Sequence, residues 1–137
     1  MSNIVITAAK RSPIGKFLGG LSSLSAPQLG KLCIKAVIED SKISKDIVDE
    51  IIMGQVLTGG SGQNPARQSS ILAGIPEEKS ALTINQVCGS GLRAVSIGAQ
   101  SIISGQSEIV IAGGQESMSN AHHTSNLRNG LKMGDGE

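Results

Sequence analysis

Apolar residues fall in short runs separated by glycine, serine and proline, and the runs alternate between two periods. Ile4–Ala8 (IVITA) is continuous, apolar and β-branched, which predicts a buried strand. A loop with Pro13, Gly15, Gly19 and Gly20 follows. Ser25-Ala-Pro-Gln28 reads as a capping box, with Ser25 as N-cap, Pro27 in the first turn and Gln28 at the third helical position. Leu29, Leu32, Cys33, Ala36 and Val37 then recur at helical spacing, and Ile34 and Ile38 widen the stripe. A helix with so wide a stripe is expected to be covered on more than one side. Ser44 can cap a short helix through Val48, and Glu50–Thr58 (EIIMGQVLT) reads as a second strand. Asn64 as N-cap, Pro65 at the first position and Gly74 as stop bound the next helix. Ala81–Val87 is a third predicted strand, Ser90–Ser104 a helix closed by Gly105, and Glu108–Gly114 a fourth strand. After Ser119 the periodicity dissolves.

Strands alternating with helices predict an α/β protein with a largely parallel, layered sheet. A chain of 137 residues suits one domain with a real core. Charge changes this picture little, since a net +1 is spread without basic or acidic runs. One Phe, no Trp and no Tyr argue against stacking on nucleic-acid bases. No apolar run approaches membrane-spanning length, and the opening MSNIVITAAKRSP has its charges after the apolar run, the wrong order for a signal peptide. Two cysteines, Cys33 and Cys88, make neither a disulfide framework nor a CxxC metal site, so no metal is expected and a reducing, cytoplasmic setting is.

Cys88 stands where the third strand ends and the next helix begins. Free N–H groups and the positive end of a helix dipole face such a point, and cysteines placed there are more readily ionised to the nucleophilic thiolate. Gly89 and Gly91 allow a tight turn and close approach of a substrate to the backbone. The logic is that of a nucleophile elbow, although Gln86 occupies the first glycine position of the hydrolase pattern. A backbone N–H beside Cys88 can also bind an oxyanion. Two other readings stand beside this one. An isolated cysteine is commonly a small buried hydrophobe. Gly89–Ala94 (GSGLRA) also matches a dinucleotide fingerprint after a strand, with Glu116 as a ribose-binding carboxylate, although two strands and two helices precede it here.

NQVCGSGLRAV at 85–95 resembles the nucleophile segment of the thiolases, the acetyl-CoA acetyltransferase family. RSPIGKF near the start, GQVLTGGSGQNPARQ at 54–68 and AGGQESMSNA at 112–121 are similar to other thiolase segments, in the family's order. RNGLKMGD resembles the opening of the family's loop insertion. The resemblance implies a layered α-β-α half-domain with a mostly parallel mixed sheet, residues 1–119 forming an incomplete N-terminal domain and 120–137 the start of the insertion. It implies that Cys88 accepts an acyl group from acyl-CoA, and that the carbanion of a second acetyl-CoA then attacks the S-acetyl enzyme to give acetoacetyl-CoA. The reverse reaction is thiolysis. No bound cofactor is implied, since the coenzyme A thioester is the substrate.

The family also carries a second half with a GHP histidine, an NEAF asparagine and a CxG cysteine, and none of these motifs occurs in this sequence. Cys33 has a different context and takes no second catalytic role. His122 and His123 are adjacent, in a loop-like tail, and read as solvated. QNPAR at 63–67 resembles a segment near the family's subunit contacts, though helix capping already accounts for Asn64 and Pro65. The expected partners are an acyl-CoA and either a second copy or a complementary C-terminal half, with no nucleic acid and no membrane. The small residues Ser96, Gly98 and Ala99 are expected to let another element approach the nucleophile helix closely.

Overall fold

The computed structural model describes residues 4–126. Their regular elements are, in chain order, α1 (Ala26–Ser41), β1 (Glu50–Gly54), α2 (Pro65–Ala73), β2 (Ser80–Ile84), α3 (Ser90–Ile103) and β3 (Val110–Gly114). Single 3₁₀ turns lie at Lys45–Ile47 and Met118–Asn120. The strands form one parallel sheet in the order β2-β1-β3, with Gly54 opposite Ile84 on one side and Gly114 on the other. Each parallel pair is joined through a helix, as parallel pairing requires.

The local signals act where they stand. Both halves of the capping box at α1 are made: Ser25 N–H donates to Gln28 Oε1 at 2.8 Å, and Gln28 N–H to Ser25 Oγ at 3.4 Å. Asn64 caps α2, Pro65 is its first residue, and Gly74 ends it at φ 88°. Ser44 caps only the 3₁₀ turn, through Asp46 N–H. β1 and β2 stop sooner than the sequence predicts, because past Gly54 and Ile84 the chain turns into loops tied by side chains, while β3 ends at Gly114 as predicted and starts later, at Val110.

Successive residues of β1 face opposite layers. Ile51 and Met53 are buried with Ile34 of α1 and Ala66 and Ala73 of α2, forming the core between sheet and helix pair. The opposite face, with Ile52 fully buried, receives α3. The contact there is built from small residues. Ser90, Ala94, Gly98 and Ser101 are the buried positions of α3, and a Cβ on Gly98 would come within 3.0 Å of Val110 Cγ1. The close approach expected of Ser96, Gly98 and Ala99 is thus made by Gly98 against β3. Leu92 and Ile103 of α3 point outward instead, being 78% and 75% exposed.

Two further expectations change. Ile4–Ala8 is not a strand: among the described residues, 4–16 carry no regular element, and Val5 and Ile6 are 72% and 78% exposed. A strand is completed by a partner's hydrogen bonds, and this segment pairs with none of the three strands. It runs along an apolar groove of about 480 Å³ that also borders Ile109–Ala112 at the outer edge of β3 and Gly98 and Ile102 of α3. The second change is in α1, whose buried line is Ala26, Pro27, Gly30 and Ile34, while Leu32 is exposed. Only one side of that helix is covered in depth. Residues 127–137, which include most of the segment read as the opening of an insertion, lie outside the described residues.

Candidate active site

The C-terminal ends of the three strands converge on the start of α3. Gly54 and Gly114 make this possible. A Cβ on Gly54 would lie 2.5 Å from the Ser90 carbonyl carbon and 2.8 Å from Gly91 N, and one on Gly114 would lie 3.3 Å from Gly91 Cα. The first turn of the helix is therefore seated backbone to backbone on the ends of β1 and β3, a contact that side chains would prevent.

Beneath this seat is a polar layer that sequence reasoning missed. Gln55 and Gln115 are buried beside one another, with Gln115 Nε2 donating to Gln55 Oε1 at 3.0 Å and to the Pro65 carbonyl at 3.2 Å. Ser69 Oγ donates to Gln115 Oε1, and Gln55 Nε2 to the Leu57 carbonyl at 3.0 Å. Gly30 of α1 leaves room for the Gln115 amide, which a Cβ there would strike. These satisfied amides tie the ends of β1 and β3 to α2, with α1 packed on them at Gly30, and buried polar groups are tolerable only when satisfied in this way.

Cys88 is exposed and directly precedes Gly89, the N-cap of α3, which offers no side-chain cap. Ser90 N–H bonds to the Val87 carbonyl at 3.1 Å, and the first regular helical bond runs from Arg93 N–H to the Gly89 carbonyl at 2.9 Å. Among the described residues, the N–H groups of Cys88, Gly91 and Leu92 have no acceptor. A thiol with unpaired N–H donors close by in the chain can attack a carbonyl carbon and offer hydrogen bonds to the oxygen that becomes negative. The structure thus places the sequence-predicted Cys88 exposed and at a helix start, rather than buried as a small core residue.

The other singled-out residues lie elsewhere. Cys33 is half-buried on α1. Glu116 takes no ligand-like position: its carboxylate accepts Val56 N–H at 2.8 Å and Leu57 N–H at 3.2 Å, pinning the loop after β1. Asn64, besides capping α2, donates to the Ala81 carbonyl at 2.9 Å and accepts Thr83 Oγ1 at 2.6 Å. His122 packs on Gly60 and lines a polar cavity with Gln28, Gln55, Gln68 and Asn120 that Cys88 does not border. No group of three or more His, Cys, Asp or Glu side chains is poised to hold a metal among the described residues. No helix among them is long and apolar enough to cross a membrane.

Fold and site together define an α/β domain that presents an exposed cysteine at an open helix start. The sequence profile of the thiolase N-terminal domain matches residues 4–137. The chain belongs to the thiolase family. It is 53% identical over 136 residues to the acetyl-CoA acetyltransferase of Cupriavidus necator, covering 98% of this chain and 35% of that protein. It is 51% identical over 138 residues to the probable acetyl-CoA acetyltransferase of Escherichia coli, covering 100% of this chain and 35% of that one. The crystal structure of the Acat5 thiolase from Ascaris suum in complex with coenzyme A superposes with a TM-score of 0.84 at 42% identity, over 92% of this chain and 33% of that one. The chain spans about a third of the length of these relatives.

Proposed function

We propose that this chain contributes the nucleophile of an acetyl-CoA acetyltransferase, with Cys88 as the acyl acceptor. The observation that carries the reading is the exposed cysteine at the uncapped start of α3, in a chain of the thiolase family. In the first step Cys88 Sγ attacks the thioester carbonyl of acetyl-CoA. The new S–C bond replaces the bond to coenzyme A, which leaves as its thiolate and takes up the cysteine's proton. In the second step the carbanion of another acetyl-CoA attacks the enzyme-bound acetyl carbon. A C–C bond forms, the Cys88 S–C bond breaks, and acetoacetyl-CoA departs. Thiolysis is the reverse. No group beyond the coenzyme A thioester is called for.

The two proton transfers need partners. The GHP and CxG segments that supply them in the family do not occur in these 137 residues. We therefore assign this chain the N-terminal, nucleophile-bearing portion of the active site, with residues 1–119 as its domain and 120–137 as the beginning of the insertion. Missing general acid–base groups typically cost about 10²–10⁴-fold each, which puts turnover by these residues alone below detection. The outward apolar residues of α3, Leu92 and Ile103, favour a complementary C-terminal half covering that helix.

The test incubates the purified chain with acetoacetyl-CoA and coenzyme A, following loss of enolate absorbance, with Cys88→Ala and a full-length thiolase as controls. Acetylation of Cys88 by acetyl-CoA, read by mass spectrometry, without turnover is the expected result. Sustained Cys88-dependent thiolysis would show that these residues hold their own base. No acetylation of Cys88, alone or with a complementary C-terminal half, would remove the acyltransferase assignment.

A further inference from the structure

We propose that Asn85 and Ser90 are positioning residues for Cys88, holding the residue before it in a conformation that a valine does not adopt unaided. The inference rests on the nucleophilic role just assigned to Cys88. Val87 has a φ of 50°. For a β-branched residue the left-handed region is a real outlier, because Cβ and its two branches crowd the backbone. Such a conformation persists only where its surroundings over-determine it.

Val87 is held from both ends. On one side Asn85 Oδ1 accepts its N–H at 2.9 Å. On the other, Ser90 Oγ donates to its carbonyl at 2.6 Å, and Ser90 N–H reaches the same carbonyl at 3.1 Å. The Ser90 hydroxyl also accepts Gln86 N–H at 2.9 Å, so one oxygen bridges both peptides of the turn. The clamp is itself anchored. Asn85 Nδ2 donates to the Val56 carbonyl at 3.2 Å, and Val56 N–H is held by Glu116. Ser90 is buried against Gly54 at the end of β1.

The consequence concerns Cys88. With an ordinary negative φ at Val87, the chain would leave Val87 in a different direction, and Cys88 would not join β2 to the start of α3 along the observed path. The left-handed residue reverses the chain between the end of β2 and the N-cap of α3, and this fixes how Cys88 is presented at the helix start. Asn85 and Ser90 need touch no substrate to do this.

A double-mutant cycle on the whole chain tests the clamp. The readout is iodoacetamide alkylation of Cys88, with Cys33 as the internal reference. Asn85→Ala should slow Cys88 roughly tenfold, the loss expected when strained backbone is released. Cys33 alkylation and circular dichroism should not change. In a Val87→Gly chain the same substitution should cost less than about twofold, because glycine takes a φ of 50° without help. Equal losses in the two backgrounds would mean that Asn85 supports the fold generally, and would overturn the inference. So would a Cys88 that stays fast in Asn85→Ala. Should that variant not fold, Ser90→Ala carries the same cycle from the carbonyl side. Equal rates for Cys88 and Cys33 in the unaltered chain would instead overturn the nucleophile assignment, and this inference with it.

Discussion

Helices α2 and α3 each follow the C-terminal end of a strand of the parallel sheet, yet their first turns are finished differently. At α2 each N–H of the first turn is spoken for. Pro65 has none, Ala66 N–H goes to Thr83 Oγ1 at 2.9 Å, and Arg67 N–H goes to Asn64 Oδ1 at 3.2 Å. Arg67 in turn donates its guanidinium to the Lys79 and Glu77 carbonyls, closing the loop into β2. At α3 the N-cap is Gly89, the Ser90 side chain turns back toward Gln86 and Val87, and among the described residues the N–H groups of Gly91 and Leu92 have no acceptor. A missing N-cap costs about 1 kcal/mol. The difference teaches that the fold leaves unused, at the helix start beside Cys88, the side-chain capping that it makes at α1 and α2.

The most damaging way to break the contrast is to unseat the open helix. Gly54→Ala places a Cβ 2.5 Å from the backbone of Ser90, where nothing flexible can move aside. It should cost about 3 kcal/mol, at the upper end of overpacking penalties. Denaturant unfolding measures the loss, and Cys88 should lose its alkylation advantage over Cys33. A milder effect is expected from opening the closed helix. Asn64→Ala removes the cap of α2 and leaves alanine at a φ of 39°, for about 2 kcal/mol in all. Urea unfolding should register that loss with the Cys88 alkylation rate unchanged; a large change in that rate would mean the two helix starts are coupled. Ser25→Ala opens the capping box of α1 in the same way and should cost about 1 kcal/mol, read as a shift in denaturation midpoint.

The smallest effect concerns the entry to β3, another closed junction. Asp49 accepts Ile109 N–H at 3.0 Å and Glu108 N–H at 2.8 Å. These bonds, that from Ile109 first, hold its carboxyl below the ordinary value of 3.8. A carboxyl lowered in the folded state stabilises it above the unfolded pKa, and that contribution fades as pH falls through the lowered value. Asp49→Asn should therefore reduce stability near neutrality and flatten its fall between about pH 5 and about pH 2. A midpoint series in urea across that range checks it, and identical pH profiles for the two chains would show that the carboxylate contributes nothing there.

Features decided within a few residues were legible in the sequence. The capping box at Ser25–Gln28, the Asn64-Pro65 start, the Gly74 stop and the place of Cys88 between strand and helix all follow from the local chemistry of N–H groups and from glycine's freedom. The resemblance of NQVCGSGLRAV supplied the family. The signal for Asn85 was there too, since asparagine two residues before a turn bonds its own backbone, but nothing in the local pattern marks Val87 as left-handed. Only the tertiary structure decided that, because the strain is sustained by Ser90, which is seated on Gly54, and by Asn85, which is tied to Val56. Likewise Ile4–Ala8 has strand composition without a strand, since pairing is a property of two segments. Gln55 and Gln115 are buried because they bond to one another and the Pro65 and Leu57 carbonyls and the Ser69 hydroxyl satisfy their remaining groups. In α3 small residues went to the sheet while Leu92 and Ile103 went outward, since a helix seated backbone to backbone on Gly54 and Gly114 leaves no room there for a large side chain.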